Sequence, residues 1–290
     1  MAGTDDMARD PEPRMKDNSH TPPRKSGLML RVLSALVMLP VAVFIILQGG
    51  LLFCLFIAMV SLLVLYEWNG ICEAKPFNAA FVFQSLLVLS FLYSIYSGIY
   101  FYDYVYLVIF GLLVAAALFM KLKVHFALLG AVYILIPAMS LIWMRISFDP
   151  GADRGGWLVL WMMIIVWSMD TGAYFAGKNI GGPKMAPKIS PNKTWAGLIG
   201  GAVSAVILGG VAAYYFDLRN MNAGWSWPVL LSVAAIMALW SQMGDLAESA
   251  LKRHFDVKDS GAVIPGHGGV MDRVDGVLFA APVMALFVSL

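Results

Sequence analysis

Uninterrupted apolar runs of transmembrane length recur from residue 28 to the end of this chain, and they restrict its fold more than any other feature. A run of about eighteen residues or more spans the hydrocarbon core of a bilayer as a helix. Inside lipid every backbone N–H and C=O must be satisfied internally, so only helices and closed barrels cross it. Barrel strands would alternate apolar and polar residues in short segments, and these runs do not. Only 13% of the residues are charged, against about 25% in soluble domains. Nine segments are readable, at roughly 28–48, 51–71, 79–98, 101–120, 124–144, 157–176, 196–215, 227–250 and 272–290. The expected class is an all-α polytopic membrane protein with about nine transmembrane helices.

Three regions follow. Residues 1–27 hold Asp, Arg, Lys, Pro and Ser with almost no large apolar side chains, so they are expected to be a disordered cytoplasmic tail. The apolar run behind them is long and lacks a small-residue cleavage site, so it reads as a span and not as a removed leader. Residues 28–156 are expected to be N-terminal transmembrane helices, and 157–290 a C-terminal transmembrane catalytic region. Gln48-Gly49-Gly50 predicts a tight turn between antiparallel helices. The aromatic stretch Tyr96 to Tyr104 suits an interfacial belt. With nine spans and the N-terminus inside, 17 of the 20 Lys and Arg fall on the cytoplasmic side; Arg145, Arg154 and Arg219 do not. The positive-inside rule therefore selects a cytoplasmic N-terminus and an outside C-terminus. Cys54 and Cys72 read as small hydrophobes, with no disulfide framework.

Two polar stretches interrupt this pattern on the cytoplasmic side. The first, 177–195, follows a helix that carries Asp170 near its end. A carboxylate at that depth is costly unless it is paired or metal-bound. It reads either as functional or as a packing Asp bonded to Thr171 or a neighbouring helix. Lys178, Lys184, Lys188 and Lys193 each suit the positive-inside rule alone. Ser190-Pro191-Asn192-Lys193-Thr194 is more distinctive: Ser, Lys and Thr offer phosphate-binding groups just before a helix N-terminus, where anions are favoured. The glycine spacing of a P-loop is missing.

The second stretch, Ser249 to Asp275, is basic in its first ten residues (Lys252, Arg253, Lys258) and then glycine-rich (Gly261, Gly266, Gly268, Gly269). Lysine and arginine neutralise phosphate oxygens. Glycine lets backbone N–H groups approach them, and carboxylates hold the Mg²⁺ that bridges phosphates. Asp245, Glu248, Ser249 and Lys252 are spaced by three and four, so they share one helical face. Asp245 lies inside the apolar run and is the strongest metal-ligand candidate; the alternative is a salt bridge to Lys252 or Arg253. Asp272 and Asp275, three apart at the start of the last helix, suit its positive end. The glycines around His267 predict a loop that wraps a ligand, and a structural His is the alternative. No other His or Cys clusters with it, which disfavours zinc. No Ser–His–Asp set exists, which disfavours covalent acyl chemistry. Glu67, Glu73 and Asp103 are read as interfacial.

The 249–275 stretch resembles the signature of the phosphatidate cytidylyltransferase, or CDP-diacylglycerol synthase, family. That signature is met by Ser249, Leu251, Lys252, Arg253, Lys258, Asp259, Pro265, His267, Gly268, Gly269, Asp272, Arg273 and Asp275. Asp170-Thr171-Gly172-Ala173-Tyr174 and Ser190 to Thr194 are similar to the family as well. One departure stands out: the family commonly carries Trp-Glu-Gly after Lys-Thr, and this chain has Trp195-Ala196-Gly197. If that Glu matters elsewhere, its role here is dispensable or supplied by another carboxylate. The likeness is specific over roughly 165–290, while the first five helices match in character only.

The resemblance implies a multi-pass enzyme of the cell (inner) membrane. Its active site would face the cytoplasm and convert CTP and phosphatidic acid to CDP-diacylglycerol and pyrophosphate. It implies Mg²⁺, with K⁺ as an accompanying cation, a homodimer, the lipid bilayer as setting and no nucleic-acid partner. Both substrates are anionic, so catalysis needs cations and positioning more than a protein nucleophile. On this reading Asp245 and Asp272 are direct metal ligands, with Asp275 and Asp170 as further carboxylates. Lys193, Lys252, Arg253, Lys258 and Arg273 serve the triphosphate and the lipid phosphate. Ser190, Thr194, Ser249 and His267 donate hydrogen bonds, and Gly268 and Gly269 bring backbone close. The rivals are a transporter using Asp170 and Asp245 as an ion path, a CTP-dependent enzyme with another lipid acceptor, and an inactive scaffold. A transporter would place its site near the midplane, which the basic, glycine-rich loops fit poorly.

Overall fold

The computed structural model describes residues 26–97, 124–147, 154–222, 224–264 and 268–289. The expected fourth segment, nearly all of the tail, and Pro265-Gly266-His267 lie outside the described residues. Eight α-helices are described: α1 Ser26–Gln48, α2 Gly50–Glu73, α3 Ala79–Ser97, α4 Val124–Ser147, α5 Arg154–Asn179, α6 Trp195–Tyr215, α7 Trp227–His254 and α8 Met271–Ser289. Among the described residues six of them, α2 through α7, are long and apolar enough to cross a membrane. Their outer faces carry large exposed apolar side chains such as Ile199, Val203 and Ile207 on α6, as a lipid-facing surface requires.

The turn expected at Gln48-Gly49-Gly50 separates α1 from α2. Gly49 and Gly50 take φ of +63° and +54°, open to glycine at little cost. Arg145, at the end of α4, explains why Gly49 has no side chain. The Arg145 guanidinium donates to Ile46 O (2.7 Å) and Leu47 O (2.8 Å), closing the last turn of α1, and a Cβ at Gly49 would collide with it. Arg145 is thus a buried helix-end cap. Arg145→Met is expected to lower the thermal midpoint in detergent, because hydrogen bonds from charged donors contribute about 1.5–3 kcal/mol each. Unfolding monitored by intrinsic tryptophan fluorescence checks this.

Small residues bring α5 and α6 together. A Cβ on Gly201 would sit 2.6 Å from Met169 O, and one on Gly172 would meet Ser204 Cβ at 2.5 Å. Backbones this close form the small-residue packing that replaces the hydrophobic effect inside lipid. Gly201→Val is expected to cost about 1–3 kcal/mol through overpacking. The same substitution would pull Lys193 away from α7, so turnover and thermal midpoint should fall together.

The segment between α5 and α6 is more ordered than the loop expected there. It forms an antiparallel hairpin of β1 Lys184–Ala186 and β2 Ser190–Thr194, with Lys184 opposite Thr194 and Ala186 opposite Ser190. Trp195 N donates to Pro183 O (3.1 Å), closing it. Thr194 is extended (φ −123°, ψ 155°) and caps α6 by accepting from Gly197 N at 3.0 Å.

One end of the bundle gathers the end of α2, the start of α4, the hairpin, the end of α7 and the start of α8. Trp68 Nε1 on α2 donates to Phe126 O on α4 (2.9 Å), and Phe126 packs on Phe255 just after α7. The helices α3 and α4 run parallel: Gln84 Nε2 donates to Ala127 O (2.7 Å), and Leu87 packs with Ala131 one turn further along each.

Candidate active site

Four elements bring polar side chains to one cavity of about 430 Å³. Helix α5 brings Asp170, the hairpin brings Ser190, Asn192, Lys193 and Thr194, α7 brings Asp245, Glu248 and Lys252, and α8 brings Asp272, Arg273 and Asp275. The shared helical face expected on α7 is present. Ser249 Oγ donates to Asp245 Oδ1 (3.3 Å) and Lys252 Nζ to Glu248 Oε2 (3.0 Å).

Carboxylate oxygens of Asp245, Glu248 and Asp275 lie within 4.8 Å of one another. Three carboxylates this close repel unless cations offset them. Lys193 Nζ sits 2.5 Å from Asp245 Oδ2, and Lys252 holds Glu248. The partner of Asp245 is therefore Lys193 from the hairpin, and neither Lys252 nor Arg253. Glu248 is buried, and its Oε1 has no hydrogen-bond partner among the described residues. An all-oxygen set with an orphaned buried acceptor fits a hard divalent cation such as Mg²⁺.

Asp272 lies outside that trio but touches it, its carboxyl within hydrogen-bond reach of Glu248. It accepts from Lys252 Nζ at 2.5 Å, from Ser260 N at 3.1 Å and from Gly269 N at 3.0 Å. The two aspartates of α8 therefore divide: Asp275 joins Asp245 and Glu248, while Asp272 anchors Lys252 and the preceding loop.

The other expected residues sit around this centre. Arg253 is exposed and donates to Ile189 O (3.4 Å) and Val257 O (3.0 Å), tying the hairpin to the end of α7. Lys258 is exposed on the following loop. Gly268 (φ +87°) pairs with Ile264 through two backbone bonds, N–H to O in each direction. Residues 265–267, with His267, lie outside the described residues.

Gly261 and Gly269 of this loop close on a protein carboxylate. Glu67 of α2, read from the sequence as interfacial, is 2% exposed. It accepts from Val270 N and Met271 N, each at 2.8 Å, and from Ser260 Oγ at 3.1 Å. A Cβ on Gly269 would lie 2.8 Å from Glu67 Oε2, and one on Gly261 2.8 Å from Oε1. No motif flags Glu67; the signal available in the sequence is an acidic residue inside an apolar run. Gln242, one turn before Asp245, is a second residue the sequence reading missed. It is buried, lines the polar cavity and leaves its Nε2 without a partner among the described residues.

An apolar cavity of about 450 Å³ adjoins the polar one. Its walls come from α1 (Met38, Leu39), α2 (Phe53, Phe56), α4 (Ile134), α5 (Met163, Trp167) and α8 (Val277). Asp170, Asp272, Arg273 and Asp275 line both cavities. A space of similar size at the far end of α6, lined by Tyr214, Asp217 and Arg219, has a single carboxylate.

Residues 29–290 match the profile described as the Cytidylyltransferase family. A phosphatidate cytidylyltransferase of Brucella suis biovar 1 (strain 1330) is 37% identical over 270 residues, covering 90% of this chain and 93% of that protein. A phosphatidate cytidylyltransferase of Staphylococcus aureus (strain COL) is 34% identical over 265 residues, covering 89% of this chain and 97% of that protein. The polar cavity, the signature that lines it and a match running almost the whole length of the chain agree: it belongs to the cytidylyltransferase family.

Proposed function

We propose that this chain is a phosphatidate cytidylyltransferase, forming CDP-diacylglycerol and pyrophosphate from CTP and phosphatidic acid. One observation carries the reading: a lysine- and carboxylate-lined cavity shares four charged residues with an apolar cavity beside it. A lipid phosphate has its headgroup in the first and its acyl chains toward the second. A phosphate oxygen of phosphatidic acid forms a bond to the α-phosphorus of CTP, and the bond from that phosphorus to the bridging oxygen breaks. Pyrophosphate leaves with that oxygen. Lys193, Lys252 and Arg273 would neutralise and orient the phosphates. Ser190, Thr194, Ser249 and His267 would donate hydrogen bonds, while Arg253 and Lys258 would supply charge at the rim. Asp245, Glu248 and Asp275 would hold Mg²⁺, which supplies charge neutralisation at the triphosphate. This exchanges Asp272 for Glu248 in the ligand set; Asp272 keeps Lys252 in place. Asp170, between the two cavities, would serve an accompanying cation such as K⁺.

The same reading has nine spans, a cytoplasmic N-terminus and an outside C-terminus in the cell inner membrane, with 157–290 as the catalytic region of a homodimer. Parallel α3 and α4 support it, since α3 ends and α4 begins at opposite ends of the bundle. The positive-inside rule puts the end bearing Lys193 and Lys252 in the cytoplasm, where CTP is.

Purified protein in detergent, given radiolabelled CTP, phosphatidic acid and Mg²⁺, is expected to form CDP-diacylglycerol, and EDTA to stop it. A folded protein that makes no product with phosphatidic acid but does so with another lipid acceptor would redirect the assignment.

A further inference from the structure

We propose that Glu67 is a positioning residue for the reaction, setting the head of α8 from outside the signature region; this rests on the site assigned above. A helix N-terminus leaves several N–H groups without partners, and a local Ser, Thr or Asp usually satisfies them. Here the carboxylate comes from α2, about 200 residues earlier, and accepts from Val270 N and Met271 N at 2.8 Å each. The positive helix end favours its charge. At 2% exposure, water has no room to substitute for it.

Ser260 carries the effect into the site. Its hydroxyl donates to Glu67 (3.1 Å) and its N–H to Asp272 (3.1 Å). Asp272 in turn holds Lys252, which holds Glu248. Asp275 lies one turn beyond the amides that Glu67 grips. Two routes therefore run from Glu67 to the carboxylate trio, through Ser260 and through the helix head. A Cβ at Gly261 would crowd Glu67, and one at Gly269 would collide with Ser260 Oγ first and with Glu67 next. Gly261 and Gly269 are thus fitted to an internal template of Glu67 and Ser260. Removing an interaction that orients ligand groups typically costs about 10–100-fold in activity or metal affinity.

The test uses full-length wild type, Glu67→Gln and Ser260→Ala in detergent. Glutamine keeps the shape but turns an NH₂ toward backbone donors. Turnover, KM for CTP and phosphatidic acid, half-activating Mg²⁺, thermal midpoint, and hydrogen exchange at the Val270 and Met271 amides are measured together. In Glu67→Gln, kcat should fall about 10–100-fold and half-activating Mg²⁺ should rise. Both KM values should hold within about threefold, and the two amides should lose protection. Ser260→Ala, which leaves both amide bonds intact, should show a smaller fall in kcat. A folded Glu67→Gln with kcat within twofold of wild type overturns the proposal, as does a lower thermal midpoint with unchanged kcat. If Glu67→Gln does not fold, a folded Ser260→Ala with unchanged kcat and Mg²⁺ dependence overturns it. Absent wild-type turnover would reject the functional reading instead, and retained amide protection in Glu67→Gln would still refute the hold of Glu67 on the head of α8 independently.

Discussion

Asp245→Asn should reduce turnover by about 10³-fold, which corresponds to about 4 kcal/mol of transition-state stabilisation. Three roles meet on this side chain. Its carboxylate lies with those of Glu248 and Asp275, pairs with Lys193 at 2.5 Å and accepts from Ser249. Asparagine matches the shape but removes the charge. The site then loses one of three clustered carboxylates, and Lys193 loses the partner that holds it at the cavity wall. The two losses separate by kinetics: lost metal affinity raises half-activating Mg²⁺, and a displaced Lys193 raises KM for CTP. Lys193→Met should reproduce the second effect without the first. Asp272→Asn should resemble a Lys252 variant more than Asp245→Asn, because Asp272 contacts Lys252, Ser260 N and Gly269 N. Should Asp272→Asn instead raise half-activating Mg²⁺ as much as Asp245→Asn does, Asp272 would belong in the ligand set and Glu248 outside it.

The sequence made the helical class legible because a span needs a long apolar run and nothing else. It placed Asp245, Glu248, Ser249 and Lys252 on one face because helical periodicity is local. Pairings between elements were less visible. The bond between Lys193 and Asp245 joins residues 52 positions apart in a basic hairpin and an apolar helix, and no spacing rule links them. The hairpin was missed since Pro191 and the turn residues around it read as loop, whereas its order comes from Trp195 N closing onto Pro183 O. Asp272 and Asp275 looked like a pair because they are three apart, yet the first turn of a helix splits them. Asp272 turns back to the N–H groups before it, and Asp275 faces α7. Glu67 was the largest omission. A single acidic residue near the end of a span is equally compatible with the interface, and only the fold shows that it meets the start of α8.

Lys252→Met is expected to damage stability and activity together, by a route that a double variant can expose. Lys252 is buried between Glu248 and Asp272, with Nζ 3.0 Å from one carboxylate and 2.5 Å from the other. Removing one partner of a buried ionic set costs about 3–5 kcal/mol, because the remaining charges are left uncompensated away from water. Methionine fills similar volume, so the loss reports charge and not a cavity. The destabilised group should be Glu248 above all, since it is 3% exposed and Lys252 is the cation that holds it. Adding Glu248→Gln to Lys252→Met should therefore recover much of the thermal midpoint. Turnover should not recover, because the double variant lacks both a lysine of the polar cavity and a carboxylate of the trio. Glu248→Gln alone should be more stable than Lys252→Met alone yet also weakly active. If Lys252→Met kept the wild-type thermal midpoint, Glu248 would have to be stabilised by something other than Lys252. The chain of contacts from Asp272 through Lys252 to Glu248 would then not be what holds the carboxylates together.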